Sequence, residues 1–200
     1  AARLLRQAFL AGFGGSATAF LPWIGADELG AHLAPAIAAC ADFAAFPTWK
    51  GAPAETGALA RSADSGPVAA MLRRHGNGVG TRLYARLWET ASVALRLQRI
   101  VDGGADRAWV RNRSPGQGVG CSAVETARGT LVHYVALEGE RVANYRIVAP
   151  TEWNFHPEGA FVRGMCGFEA DSARDVESAA RLLAHALDPC VEYRIQVVHA

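Results

Sequence analysis

Apolar residues recur at helical spacing along the middle of the chain. Between Gly80 and Val101 they fall on one face about every 3.6 residues, at Leu83, Leu87, Ala91, Ala94, Leu95 and then Ile100 or Val101. This spacing predicts a long helix that turns its charged side chains away from the core, namely Arg82, Arg86, Glu89 and Arg96. Gly103 and Gly104 are expected to end the helix.

A second amphipathic helix is predicted near the C-terminal end of the sequence. Ser172 and Asp175 resemble a capping box, which satisfies the free amides of a first helical turn. An apolar stripe follows at Val176, Ala179, Ala180, Leu183 and Leu187 and stops before Pro189. The helix therefore presents Asp188-Pro189-Cys190 as a turn at its C-terminal end.

The remaining pattern predicts shorter elements. Asp27 is placed to cap a helix from about Glu28 toward Phe46, with Pro35 kinking or splitting it. Residues 47–66 are an irregular connector, and a short helix follows at residues 67–74. Two β-forming runs, Thr130 to Leu137 and Arg141 to Val148, predict a β-hairpin. The fold class is therefore α+β, mainly helical, with a small β-hairpin.

Composition and charge limit the classes of protein. Half of the 200 residues are hydrophobic, and the 20 Lys and Arg nearly balance 19 Asp and Glu, for a formal charge of +1. This balance gives no general attraction for nucleic acid or anionic membranes. Glycines, Ser16 and Pro22 interrupt the apolar stretch from Ala8 to Ile24, so we expect no membrane span and no signal peptide. The sequence begins at Ala1 without methionine, and we expect a single domain, helical over residues 1–46, that is a C-terminal fragment of a longer chain.

The four cysteines are widely spaced, at Cys40, Cys121, Cys166 and Cys190. A chain of this size does not need a disulfide framework, so we expect a reducing, cytoplasmic setting. A closed zinc or iron–sulfur site is not expected, because the sequence contains no Cys-x-x-Cys or His-x-x-x-His pair. Cys190, at the end of a proline-stopped helix, is the best candidate to bind a soft metal, although burial as a small apolar residue is the ordinary role of a cysteine.

Three other features each allow two interpretations. Arg128, just before the predicted hairpin, is either an anion clamp or a surface arginine in a turn. The glycine-rich segment from His75 to Gly80 is a turn rather than a phosphate cradle, because it lacks the Lys-Ser/Thr of a P-loop. Trp153 and Asn154 form a packed segment whose polar groups need partners. The six histidines are scattered and receive no catalytic role.

Several short segments, taken in chain order, resemble the C-terminal region of [NiFe] hydrogenase large subunits. Residues 125–129 resemble the family's Glu-Ala-Pro-Arg-Gly, residues 149–154 its Val-Pro-Thr-Thr-Trp-Asn, and residues 188–190 the start of its Asp-Pro-Cys-x-x-Cys-x-x-His. The chain is also similar to the family's Pro-Arg-Tyr-x-Gly at residues 47–51, to its Glu-Val-Gly-Pro-Leu-Ala-Arg at residues 55–61 and to its Gly-x-Glu-Ala at residues 167–170. The resemblance runs roughly from Pro47 to Val197 and implies the helical core of a hydrogenase large subunit.

The resemblance also implies a site. In that family an arginine and a Pro-Thr loop surround an iron that carries cyanide and carbon monoxide. Arg128, Pro150 and Thr151 are therefore expected to line a pocket for an Fe(CN)₂CO unit, with Cys190 as an iron ligand. Cys166 and Cys121 are further candidate ligands. The chemistry agrees, because the cyanide nitrogen is an anionic acceptor that wants strong, fixed donors.

The departures from the family pattern indicate the function. Tyr193 stands where the family has its second C-terminal cysteine, which bridges nickel and iron, and a phenol cannot replace a bridging thiolate. No nickel is therefore expected. Gln196 stands where the family has the histidine associated with removal of a C-terminal extension, so proteolytic completion of a nickel site is not expected. Residues 1–46 contain no counterpart of the family's N-terminal cysteine pair.

An incomplete ligand set around this pocket resembles the HupK/HoxV-type accessory proteins. The resemblance implies a maturation scaffold, not an enzyme, that binds the Fe(CN)₂CO unit transiently. Its implied partners are a HypC-type chaperone with its maturation complex and the hydrogenase large-subunit precursor. A divergent hydrogenase large subunit and a metal-free structural paralogue are the alternatives, and retention of Cys190 together with Arg128 favours the scaffold.

Overall fold

Helices and an antiparallel sheet that packs on them make up the protein, in a computed structural model that describes residues 12–105 and 108–198. The helices are α1 (Ala26–Glu28), α2 (Ala34–Ala39), α3 (Ala58–Ser62), α4 (Gly66–His75), α5 (Val79–Val101), α6 (Pro150–Asn154), α7 (Ala160–Met165) and α8 (Ala173–Leu187). The strands are β1 (Ala19–Phe20), β2 (Ala54–Glu55), β3 (Val110–Gly116), β4 (Val119–Thr126), β5 (Gly129–Glu138) and β6 (Arg141–Val148). Among the described residues, no helix is both long and apolar enough to span a bilayer.

The N-terminal helix differs from the prediction at its start, its middle and its end. Gly25 is the N-cap, and its amide donates to Glu28 Oε2 at 3.1 Å, so the predicted cap at Asp27 was wrong. A π-helical turn, Leu29–Leu33, joins α1 to α2 just before Pro35, whose ring nitrogen cannot donate a hydrogen bond. The helical prediction for residues 1–46 holds for residues 26–39, since β1 precedes them and turns follow, while residues 1–11 lie outside the described range.

The connector at residues 47–66 contains regular structure that its composition did not predict. Within it, β2 pairs in parallel with β1, with Ala19 opposite Ala54 and Phe20 opposite Glu55. The short helix α3 follows β2 directly. The predicted helix at residues 67–74 is confirmed as α4, and a turn containing Gly76 leads from it into α5. Gly78 in this turn must be glycine, because a Cβ there lies 2.6 Å from the Gly12 carbonyl oxygen.

The long helix α5 is confirmed in position, but most of its predicted core face is exposed, and of that face Leu83 packs against the core. Arg82, expected in solvent, is buried with 2% of its surface exposed, whereas Leu87 and Leu95, expected in the core, are each 71% exposed. The helix buries its charged side because Glu55 supplies a countercharge, with Arg82 Nε and Nη2 each 2.8 Å from a Glu55 oxygen. Periodicity alone does not reveal such a long-range partner.

The predicted hairpin is confirmed as β5 and β6, and it forms half of a larger sheet. The strand order is β3-β4-β5-β6, all antiparallel. The inner face of the sheet packs on the N-terminal helical segment and on Trp153; its buried residues are Cys121, Ala123, Val132, Tyr134 and Val148. The predicted α+β class therefore holds, with more β-structure than one hairpin.

The final helix α8 matches its prediction closely. The amide of Asp175 donates to Ser172 Oγ at 3.2 Å, which confirms the predicted cap. The predicted stripe is buried at Ala179, Ala180, Leu183 and Leu187, and Leu183 and Leu187 pack with Val79 and Ala160. The helix ends at Leu187 and leaves Asp188-Pro189-Cys190 as a turn next to α5 and α6.

Candidate metal centre

Cys190 lies against Thr151, in the first turn of α6. The Cys190 amide donates to Thr151 Oγ1 at 3.2 Å, and the Cys190 sulfur lies 3.2 Å from the same oxygen. The hydroxyl oxygen accepts the amide, and its one proton can be donated either to the sulfur or to a group bound beside the sulfur. Pro150 is buried and begins the helix, where its lack of an N–H costs nothing. Cys190 itself is exposed. Burial raises the pKa of the carboxyl group of Glu152, the residue that follows Thr151 in the chain.

Asp188 connects the C-terminal end of α8 to the segment that carries Cys190. Its backbone has φ 53° and ψ 64°, in the left-handed region, which costs a residue with a Cβ on the order of 1 kcal/mol. Its amide donates to the Ala184 carbonyl at 2.9 Å and so closes the helix. Its carboxylate Oδ2 lies 3.2 Å from Arg86 Nη2 and 3.8 Å from Arg128 Nε. Arg128 is thereby brought to the turn that carries Cys190.

Three arginines face the small cavity beside this turn. Arg86 and Arg128 lie at it together with Asp188, while Arg82 and Glu55 form a buried ion pair there. Arg82 Nη1 also donates to the Gly14 carbonyl at 2.7 Å. The cavity measures about 20 Å³, room for about one water molecule. A ligand larger than a water molecule therefore does not fit inside this cavity.

Asn154 ties three elements together beneath the site. Its side-chain oxygen accepts the Thr56 amide at 2.9 Å, and its side-chain nitrogen donates to the Leu187 carbonyl at 3.3 Å. The Thr56 hydroxyl in turn accepts the Thr130 amide at 3.0 Å. These bonds fix the end of β2, the end of α8 and the start of β5 relative to one another. The turn with Cys190 thus has a rigid support.

Buried charges hold the β4–β5 turn that carries Arg128. Glu125 accepts the Thr130 hydroxyl and Arg111 Nη2, each at 2.8 Å, and Arg61 Nη1 at 3.2 Å. Arg61 also makes two 2.7 Å bonds to Glu89 on α5. Burial by itself lowers the pKa of Arg61, but the bonds and charges of these carboxylates raise it overall. Arg61 therefore stays charged, and its bonds to the two carboxylates orient the turn.

The structure places the predicted site residues in different surroundings. Thr151 and Cys190 are in contact, and Arg128 reaches the same turn through Asp188. Cys166 caps the exposed end of α7, and Cys121 lies buried on the inner face of the sheet. Burial raises the pKa of the Cys121 thiol to about 11, which disfavours a thiolate ligand. Within residues 12–105 and 108–198, no group of three or more His, Cys, Asp or Glu is placed to hold a metal.

Five residues at the site were not predicted to have a role in it: Glu55, Arg82, Arg86, Asn154 and, for its side chain, Asp188. Arg86 was assigned to solvent because it lies on the charged side of α5. A usable signal was present, since Arg82 and Arg86 are four residues apart and therefore share one helix face. Two arginines on one face, with an aspartate just before the candidate ligand, indicate a paired charge rather than a solvated surface.

The donor set fits an iron unit with anionic diatomic ligands. One exposed thiol is available as a ligand, a hydroxyl lies against it, and Arg128, 46% exposed, offers guanidinium donors nearby. A thiolate suits a soft or borderline metal, and hydroxyl and guanidinium groups suit an anionic nitrogen acceptor. Because the thiol is exposed, such a group would be held at the surface and not enclosed by the protein.

Comparison with known proteins gives a consistent result. The model of the nickel-dependent hydrogenase family matches residues 42–193. The hydrogenase expression/formation protein HupK of Rhizobium leguminosarum bv. viciae is 39% identical over 164 residues, which are 80% of this chain and 42% of HupK. HoxV of Cupriavidus necator, also an expression/formation protein, is 36% identical over 185 residues, or 88% of this chain and 46% of HoxV.

Solved structures show the same fold. The Ni-Fe-Se hydrogenase of D. vulgaris Hildenborough superposes with a TM-score of 0.55 and 23% identity, covering 72% of this chain and 36% of the hydrogenase chain. This similarity confirms the predicted large-subunit-like architecture. The chain spans less than half the length of the curated relatives that it matches, 42% of HupK and 46% of HoxV.

Proposed function

The chain belongs to the nickel-dependent hydrogenase family and is a homologue of HupK and HoxV, and from this premise we propose that it carries an Fe(CN)₂CO unit during hydrogenase maturation. The homology points to hydrogenase maturation as the general role. The relatives above 30% identity that are described here are expression/formation proteins, not catalytic subunits. The iron unit is cargo that the protein receives and passes on.

The proposal depends mainly on the contact between Cys190 and Thr151. The exposed Cys190 thiol supplies the iron ligand, and the Thr151 hydroxyl, 3.2 Å from the sulfur, supplies a donor for a cyanide. Arg128 supplies a charged donor for the other cyanide, since its guanidinium reaches the turn that carries Cys190. Pro150 fixes the start of α6 and so the position of Thr151.

Weak attachment suits a carrier. Ligation through one protein thiolate leaves the iron exchangeable, whereas a full set of thiolates retains a metal. Tyr193, 38% exposed, stands where the family has its bridging cysteine, so this chain lacks the ligand that nickel needs there. We therefore propose that nickel is not part of the function.

The proposed role defines the partners and the compartment. A HypC-type chaperone with its maturation complex delivers the iron unit, and a hydrogenase large-subunit precursor accepts it. Exchange with two partners requires an accessible ligand, and Cys190 is exposed. A free thiolate carrier also requires reducing conditions, so we propose that the protein acts in the cytoplasm.

Infrared spectroscopy tests the proposal directly. The full-length protein is purified anaerobically from cells that express the hydrogenase maturation machinery, and its cyanide and carbonyl stretching region is recorded. We expect cyanide and carbonyl bands in the parent protein and none in Cys190→Ala, because the substitution removes the iron ligand. Cys166→Ala is the matched control, since Cys166 is also an exposed cysteine, and it should keep the bands.

The other outcomes separate the alternatives. A parent protein that is folded and bound to its partners but shows no bands contradicts the carrier and leaves a metal-free structural paralogue. Bands that persist in Cys190→Ala contradict the assigned ligand. Stoichiometric nickel in the same preparation indicates instead a divergent hydrogenase large subunit.

A further inference from the structure

Arg86 connects the long helix α5 to the turn that precedes Cys190. Its Nη1 donates to the His185 carbonyl in the last turn of α8 at 2.9 Å, and its Nη2 lies 3.2 Å from Asp188 Oδ2. One planar guanidinium thus binds the helix end and the carboxylate of the next turn together. The helix end is a favourable place for this cation, because its carbonyls carry partial negative charge.

Arg128 also lies near the same carboxylate oxygen. Its Nε lies 3.8 Å from Asp188 Oδ2, beyond hydrogen-bond distance, whereas Arg86 is within reach. Arg82 is neutralised by Glu55, so two guanidiniums remain for one carboxylate. The rim of the cavity therefore carries one positive charge in excess. An anion that binds at this rim, which includes Asp188 two positions before Cys190, satisfies this charge.

We propose that Arg86 is a positioning residue that occupies Asp188 and thereby leaves the Arg128 guanidinium available to an anionic ligand. The identity of that ligand, the cyanides of an iron unit, rests on the proposed function, but the division of roles between the arginines is a property of the protein alone. Without Arg86, Asp188 turns to Arg128 and blocks the donor. Lysine cannot replace Arg86 fully, because one ammonium lacks the fork that spans both acceptors.

Chemical modification of Arg128 in metal-free protein tests the proposal. Phenylglyoxal modifies accessible arginines, and mass spectrometry of the Arg128 peptide gives its rate. We expect Arg86→Gln to slow the modification of Arg128 by about two- to fivefold, the effect that a partly exposed ion pair allows. Arg86→Lys should give an intermediate rate. The double variant Arg86→Gln/Asp188→Asn should restore the parent rate, because no carboxylate remains to bind Arg128.

Arg181→Gln is the matched control, since Arg181 is an exposed arginine that pairs with Glu177 within α8. It should leave the Arg128 rate unchanged. A thermal unfolding curve for each variant separates loss of the fold from loss of position. An unchanged or faster rate in Arg86→Gln overturns the proposal, and so does a rate that stays slow in the folded double variant.

The infrared bands of protein that carries the iron unit give an independent test of the role of Arg86. If the parent carries the iron unit, Arg86→Gln should shift the cyanide bands, whereas Arg181→Gln should not. Unshifted bands in Arg86→Gln overturn the connection to the iron unit. If the parent carries no unit, the proposed function fails, and the phenylglyoxal rates still decide whether Arg86 keeps Arg128 available.

Discussion

The thiols of Cys121 and Cys190 show how strongly local surroundings determine a residue's chemistry. Cys121 points into the core from β4 and is 2% exposed, whereas Cys190 is exposed and lies beside a hydroxyl. Burial disfavours the thiolate and raises the Cys121 pKa to about 11, while exposure leaves Cys190 open to solvent and metal. A sequence lists both simply as cysteines, so only the fold distinguishes them.

The buried thiol predicts a loss of stability at alkaline pH. In the unfolded chain the Cys121 thiol ionises near its ordinary pKa of 9.0, whereas in the folded protein it ionises only near 11. The unfolded state therefore binds fewer protons as the pH rises through this interval, and stability falls by on the order of 1–3 kcal/mol. Urea unfolding at about pH 8 and about pH 10.5 measures the loss.

Cys121→Ala removes the titrating group, so its stability should depend less on pH than that of the parent. Cys166→Ala, which removes an exposed thiol, should keep the dependence of the parent protein. If the stability of all three proteins depends equally on pH, the result is evidence against a buried neutral thiol at Cys121. The comparison uses differences between variants, which cancel the titration of other groups.

At the scale of single elements, α5 shows how one long-range ion pair orients a helix. Arg82 and Glu55 make two 2.8 Å bonds, and both side chains are 2% exposed. Removing one partner leaves a buried charge without its counterion, which costs far more than the pair contributes. The side of α5 that carries Arg82 therefore faces the interior.

Arg82→Met should lower the free energy of unfolding by about 3–5 kcal/mol, because Glu55 is left charged and buried. Chemical denaturation measures the change. The double variant Arg82→Met/Glu55→Leu should regain part of the loss, since both charges are then absent. Arg181→Gln, in an exposed pair, should change stability by less than about 1 kcal/mol. A loss of similar size in both arginine variants contradicts the special role of the buried pair.

The elements also show what local sequence can predict. The cap and stripe of α8 are local features, and its bounds and buried face follow from them. The hairpin of β5 and β6 likewise follows from two β-forming runs and a tight turn. In contrast, β3 and β4 were missed because the segment around Pro115 is rich in Arg, Asn, Ser and Gly, and their strands form by pairing with β5. Pairing is a tertiary property.

The residues of the candidate site also divide into those that local motifs predict and those whose roles depend on distant partners. Cys190, Thr151 and Arg128 were found through short motifs that resemble a family. Arg86 and Glu55 were missed because their roles depend on partners more than 20 positions away in sequence, Asp188 for Arg86 and Arg82 for Glu55. Helical periodicity assigned Arg86 to solvent, and the spacing of Arg82 and Arg86 indicated a shared face but not the partner of either residue. Long-range charge pairing is therefore the information that the sequence alone did not supply.

At the scale of the whole molecule, a polar network joins the helices to the sheet. Asn154 connects α8 to the segment after β2, Thr56 continues to Thr130 on β5, and Glu125 continues to Arg61 and Glu89 on α5. The turn with Cys190 joins this network through Leu187, and the turn with Arg128 joins it through Glu125 and Thr130. Their relative position is thus set by buried hydrogen bonds, which are costly to break.

The outward side of α5 is apolar, and this exposure leads to a prediction for the whole chain. Leu87 and Leu95 are each 71% exposed and Val101 is 81% exposed, so they contribute little burial to this fold. The double variant Leu95→Gln/Val101→Gln should therefore change the free energy of unfolding by less than about 0.5 kcal/mol per site. It should also reduce the fluorescence of a hydrophobic dye such as ANS, because the exposed apolar surface shrinks.

Leu183→Ala is the control with the opposite expectation, because Leu183 is fully buried in α8 and its loss should cost about 2–5 kcal/mol. Dye fluorescence and urea unfolding on the same samples distinguish an α5 that buries its leucines from an α5 that buries Arg82. If the leucines of α5 form part of the core, as helical periodicity predicts, the double variant unfolds as readily as Leu183→Ala and binds more dye. If Arg82 forms the buried face, the double variant retains its stability and binds less.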